Sequence, residues 1–170
     1  MEYIFVGACP PGATNDPRFR YQTIYAVYPA PGAEPTGKLF QPLPPDYPAA
    51  ACDFIRWLRG IARPWTIVGF RTEHFLRNVA RDAALQFALT KDLASPRLHY
   101  SIVDDTGYID IGEELVPGSD GTDRMDGILK EAHQFGVTVP PGWSPGDPGR
   151  ETADAWAAFE FGVLLGIYAP

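Results

Sequence analysis

Trp65–Phe70 reads WTIVGF, an uncharged run bounded by Pro64 on one side and by Arg71-Thr72-Glu73 on the other. A stretch this short and this continuous in its hydrophobicity predicts a strand buried on both faces, as in a sheet with helices packed on each side. The flanking segments are helical. Upstream, Phe54, Trp57, Leu58 and Ile61 recur at i, i+3, i+4 and i+7, a single apolar stripe on a helix that Asp46 can cap and that runs to about Ile61. Downstream, Phe75, Val79, Ala83 and Phe87 are spaced four apart within Thr72–Lys91, and the other face of that helix carries Arg77 and Arg81.

Further out, strands dominate before this unit and helices after it. Glu2–Ala8 (EYIFVGA) is short and apolar, ends at the Pro10-Pro11-Gly12 breaker and suits a central strand. Tyr21–Tyr28 (YQTIYAVY) is rich in aromatic and β-branched residues, Gly37–Leu43 is a third, shorter strand, and the proline-rich loop Pro42–Pro48 follows. On the C-terminal side a fifth strand region spans Leu98–Ile111, with HYSIV and YIDI separated by the turn Asp104-Asp105-Thr106-Gly107. Asp123 is placed to cap a helix through Phe135, stopped by Gly136; a proline- and glycine-rich loop, Pro140–Gly149, leads to a last helix, Glu151–Leu165, apolar almost all round. The order is a three-strand meander followed by alternating helices and strands. It predicts an α/β domain over 1–170 with a mixed five-stranded sheet and helices packed on it.

The chain's length suits one hydrophobic core, and with apolar residues at 45% and charged residues at 21% a packed fold is expected rather than disorder. Net charge is −7 but unevenly spread: residues 1–50 hold 3 basic and 4 acidic groups, 51–100 hold 8 and 4, and 101–170 hold 3 and 13. The acidic total disfavours nonspecific adsorption to nucleic acid, although carboxylate-rich metal nucleases share that sign. The two cysteines, Cys9 and Cys52, read as reduced thiols. Met1–Ala8 carries no basic leader and no run approaches a membrane span, so a cytoplasmic protein with no membrane partner is expected. No phosphate-binding glycine loop or zinc spacing is present, and Asp120, Asp123 and Asp126 lack the pattern of a calcium loop.

Several local patterns resemble the RNase H-like superfamily, within it the DnaQ-type 3′-5′ exonucleases and the proofreading domains of family-B polymerases, over nearly the whole chain. The third-motif frame is Gly127-Ile128-Leu129, then Gln134-Phe135-Gly136-Val137, then Ala153-Asp154-Ala155 in the last helix; the second is Val68-Gly69-Phe70 followed by Phe75. The resemblance implies a Mg²⁺ or Mn²⁺ pair held by carboxylates, with Asp154 matching the terminal metal-binding Asp. Here Val6 and Ala8 stand at the first-strand acidic pair, Arg71 at the family's Asn, Leu76 at its Asp, and Gly149 at the general-base His. A single Asp does not offset the dehydration of two dications. The implied protein is exonuclease-like, associated with single-stranded nucleic acid or nucleic acid ends, and catalytically degenerate.

Two alternatives stay open. RuvC-type Holliday-junction resolvases are similar in having a glycine-rich first strand, compared here with Val6-Gly7-Ala8-Cys9-Pro10, and two acids spaced i, i+3 on the last helix, compared with Glu151 and Asp154; Glu73 then stands in for the acid after the fourth strand. This implies an active metal-dependent exonuclease or resolvase using Glu73, Glu151 and Asp154. The other alternative is a protein-interaction module that keeps only the fold. Arg71, His74, Arg77 and Arg81 form either a phosphate-tracking patch or a solvated helix face. Asp154 and Glu151 also suit a helix's first turn through the dipole, Cys9 suits a buried thiol, and Asp104, Asp105 and Asp110 form an acidic cluster able to hold a cation, although the turn explains Asp104 and Asp105 without a ligand.

Overall fold

The computed structural model describes residues 1–9, 23–41, 49–62, 64–90, 106–147 and 149–170, with the backbone alone at 9, 49 and 84–90. The strands are β1 (Glu2–Cys9), β2 (Thr23–Tyr28), β3 (Thr36–Phe40), β4 (Trp65–Gly69) and β5 (Gly107–Asp110). The helices are α1 (Ala49–Arg59), α2 (Thr72–Thr90), α3 (Ile111–Leu115), α4 (Gly121–Phe135) and α5 (Glu151–Leu164).

All the strands join one sheet in the order β3-β2-β1-β4-β5. β1 pairs antiparallel with β2 (Val6 opposite Ala26) and β2 antiparallel with β3 (Ile24 opposite Phe40). On its other side β1 pairs parallel with β4 (Phe5 opposite Val68), and β4 pairs parallel with β5 (Val68 opposite Ile109). The result is the expected α/β architecture with a mixed five-stranded sheet. β4 is buried along its whole length, as its uninterrupted hydrophobicity requires.

Because side chains alternate across a strand, the sheet feeds two separate cores. Ile4 and Val6 of β1, with Ile67 of β4, pack against α1 and α2 through Phe54, Leu58 and Phe75. Phe5 and Val68 face the other way, onto Ile128 of α4 and Ala158 and Phe161 of α5. Each fully buried Phe or Leu side chain contributes about 2–3 kcal/mol by leaving water. The stripe read from α1 divides accordingly: Phe54 and Leu58 are fully buried, while Trp57 and Ile61 flank the cluster. At the open edge, β3 is exposed except at Phe40, and Lys38 projects a charge there that discourages pairing with another strand.

Two expectations need correction. Ile111 does not end the fifth strand: Asp110 accepts from the backbone N–H groups of Gly112 and Glu113 and turns the chain into the short helix α3. The following helix has Asp120 rather than Asp123 at its N-cap, with Arg124 N donating to Asp120 O, and Asp123 sits in the first turn where acid complements the dipole. Gly136 ends this helix in the left-handed conformation, at φ 68°. The proposed cap Asp46, the Pro10–Gly12 breaker, the HYSIV half of the fifth strand region, and Asp104 and Asp105 lie outside the described residues.

Cys52 is buried in α1. Among the described residues no helix is long and apolar enough to cross a membrane.

Candidate functional site

The carboxyl ends of the parallel strands β1, β4 and β5 lie along one edge of the sheet, and the N-terminal turn of α5 comes down on β1 at Gly7. A Cβ built on Gly7 would lie 2.0 Å from the Glu151 carbonyl oxygen and 2.9 Å from Asp154 Cβ. The strand and helix backbones are therefore in direct contact, and only glycine permits it.

Asp154 is 3% exposed, and both of its carboxylate oxygens are engaged. Trp143 Nε1 donates to Oδ1 at 2.8 Å, and the Gly146 backbone N–H donates to Oδ2 at 2.9 Å. The Trp143 ring lies 5.7 Å from that of Phe70, which follows β4, and Phe70 lies 6.3 Å from Phe161 of α5. Burial pushes the Asp154 carboxyl up to about 7; the hydrogen bonds from Gly146 and Trp143 oppose that rise, and the nearby charges of Glu151 and Asp147 add to it. Glu151 is half-buried, and its Oε2 has no hydrogen-bond partner among the described residues.

At the ends of β4 and β5 a second carboxylate acts as a clasp. Asp110 Oδ1 accepts from Gly112 N and Glu113 N, while Oδ2 accepts from Thr72 N at 3.1 Å, so one side chain caps both α3 and α2. The Thr72 hydroxyl donates to Ile109 O at 2.8 Å. Arg71, immediately before α2, has φ 56°, a left-handed conformation uncommon outside glycine, and its carbonyl accepts from Phe75 N at 3.0 Å. Thus Asp110, offered above as a cation ligand, is occupied by backbone donors.

Arg71, His74, Arg77 and Arg81 are all exposed, at the start and along the solvent face of α2. Three of them have side-chain partners: Arg77 pairs with Glu73 one turn back, His74 shares a 2.9 Å hydrogen bond with Asn78, and Arg81 pairs with the buried Asp82. The exposed Arg77–Glu73 pair contributes about 0.3–0.5 kcal/mol.

The catalytic set read from the sequence is not brought together. Glu73 is on α2, which covers one face of the sheet, whereas Glu151 and Asp154 are on α5, which covers the other. Among the described residues no three His, Cys, Asp or Glu side chains form a group that could hold a metal ion. Val6 and Leu76, aligned with family carboxylates, point into the core under α1 and α2, and Ala8 packs against it; the strand residue that meets Asp154 is Gly7. Period-two alternation decides this, since neighbours on a strand cannot share a face.

Sequence reading missed the two donors to Asp154. A trace of Trp143 was there to see: one large aromatic in an otherwise small, turn-forming loop has to be buried against something. Nothing local signals that Gly146 would donate its N–H to a residue eight positions on. No family model, curated protein or solved structure matches the chain.

Proposed function

We propose that this chain is an RNase H-like domain of the exonuclease type that associates with single-stranded nucleic acid or a nucleic acid end and lacks a working two-metal centre. The observation that carries the reading is the seating of the last helix on the first strand at Gly7. In the family it resembles, acids on the first strand and the last helix jointly hold the metals. Here the strand offers a glycine with no space for a side chain, and Asp154 spends both oxygens on Trp143 and Gly146. The three-strand meander followed by alternating helices and strands supports the fold part of the reading. The exposed Arg71 just before α2 and the exposed His74, Arg77 and Arg81 on it support the nucleic-acid part, through phosphate contacts that need no base recognition.

A resolvase-like register is the second reading, favoured by the position of Gly7 opposite Glu151 and Asp154. Both readings meet the same experiment: a labelled single-stranded oligonucleotide is titrated by fluorescence anisotropy across a salt series, with and without Mn²⁺, and its length is followed on a gel. Binding that weakens with salt and with Arg77→Ala, and an oligonucleotide that stays intact, is the expected outcome. Degradation in Mn²⁺ that Asp154→Ala abolishes overturns the non-catalytic part. An absence of binding even at low salt overturns the nucleic-acid part.

A further inference from the structure

We infer that residues 138–147 form a strap that lifts off the carboxyl edge of the sheet as one unit, independently of the rest of the fold and of the function proposed above. The hydrogen bonding separates this segment from its surroundings. Its own turns close within it, Trp143 N donating to Pro140 O at 3.1 Å and Asp147 N to Ser144 O at 3.2 Å. Its ties to the body are Trp143 Nε1 and Gly146 N donating to Asp154, Thr138 N donating to Glu160 Oε2 at 2.9 Å and Arg150 Nη2 donating to Pro141 O at 3.5 Å, while Arg150 N donates to Asp147 O at its C-terminal end. Among the described residues none of its backbone joins the sheet.

The segment is bounded by Gly136 and Gly149, both at positive φ (68° and 76°), where a change of backbone direction meets no Cβ. Its main apolar anchor is Trp143, which is 1% exposed and packs against Phe70. Lifting the strap therefore breaks two bonds to Asp154, one to Glu160 and the Arg150 bond to Pro141 O, unpacks the buried Trp143 ring from Phe70, and leaves the strand ladder and α5 intact. It bares Phe70 and the Asp154 carboxylate together, and the ionised carboxylate gains the hydration that the closed strap denies it. Segments held by so few tertiary ties open below the free energy of global unfolding.

Amide hydrogen exchange resolved by NMR tests this on the whole chain. The expected result is that Gly146 N–H and the Trp143 indole N–H exchange faster than the amides of Phe5 and Val68 in the paired strands. Trp143→Phe keeps a ring in place but removes one donor to Asp154, and it is expected to speed Gly146 exchange about tenfold while Phe5 and Val68 stay unchanged. Glu160→Ala, which leaves the Asp154 bonds in place, serves as a second variant and is expected to speed Thr138 N–H and Gly146 N–H by a similar factor; acceleration confined to Thr138 N–H overturns the single unit. If strap and sheet amides exchange at one common rate in the wild type, or shift together in both variants, the segment opens only with global unfolding and the inference is overturned.

Discussion

The Trp143 indole donates to the carboxylate of Asp154, 11 residues ahead in the chain, at 2.8 Å inside the core between the sheet and α5. The bond gives an aromatic loop residue a fixed depth and gives a buried acid one of its two donors. Deleting the acid by Asp154→Ala leaves the indole N–H and the Gly146 N–H without acceptors. Each unsatisfied buried donor costs about 1–3 kcal/mol. Against this stands the relief of a desolvated carboxylate, so a net loss of about 2 kcal/mol near neutral pH is expected, read as a lower midpoint in urea unfolding.

The pH dependence has a definite sign. The Asp154 carboxyl is raised from 3.8 to about 7 in the folded protein, chiefly by burial, so the folded state holds a proton that the unfolded chain releases. The resulting stabilisation is complete below about pH 4 and is lost as pH rises toward and through about 7, with a slope of at most about 1.4 kcal/mol per pH unit. Asp154→Asn removes the titration. The difference in unfolding free energy between wild type and variant is expected to fall across that window and to level off above it. A difference that rises with pH sinks the assignment.

Gly7→Ala is expected to be among the most damaging single changes. The new methyl would sit 2.0 Å from a backbone carbonyl of α5, which cannot rotate away as a side-chain end could. Either the first turn of α5 moves off β1, or the strand bends. A loss of about 3 kcal/mol follows from overpacking a site with no free volume. Thermal unfolding measures it, and the Trp143 indole N–H shift reports whether the turn carrying Asp154 has moved.

Much of the fold was legible because its signals are local. Continuous hydrophobicity in Trp65–Gly69, the four-residue spacing of Phe75, Val79 and Ala83, and Gly136 after Phe135 each reflect one element's own periodicity or cap. The candidate site was less legible because its contacts join residues from separate elements. Asp154 drew notice as an acid on the last helix, but its partners lie in a loop, and its neighbour Gly7 is informative only through a side chain it does not have. Alternation along β1 was equally decisive: Val6 and Ala8 look like the replaced pair in the sequence, but they face the core of α1 and α2. The helix α3 was hidden by the apolar Ile109-Asp110-Ile111, which reads as strand until Asp110 is seen to cap rather than continue.

Asp110→Ala tests that clasp. It removes acceptors from Gly112 N, Glu113 N and Thr72 N at once, uncapping two helices with one substitution. Single cap losses cost about 1 kcal/mol, so a decrease of about 2 kcal/mol in unfolding free energy is expected. Asp110→Asn keeps one carbonyl acceptor and is expected to recover about half of that loss. A variant as stable as the wild type would mean that water caps both helices equally well.

Arg71→Gly separates backbone from side chain at the mouth of α2. Arginine at φ 56° holds a conformation that costs an L-residue about 1 kcal/mol and glycine little. Glycine's greater unfolded entropy offsets part of that gain, so the melting temperature is expected to hold or rise slightly. The same change deletes an exposed cation at the end of the sheet where α2 begins. If that cation contacts phosphate, oligonucleotide affinity falls by a few-fold and the slope of binding against salt becomes shallower by about one charge. A gain in stability with unchanged affinity and slope would leave Arg71 as a strained turn residue and remove it from the phosphate-contacting set.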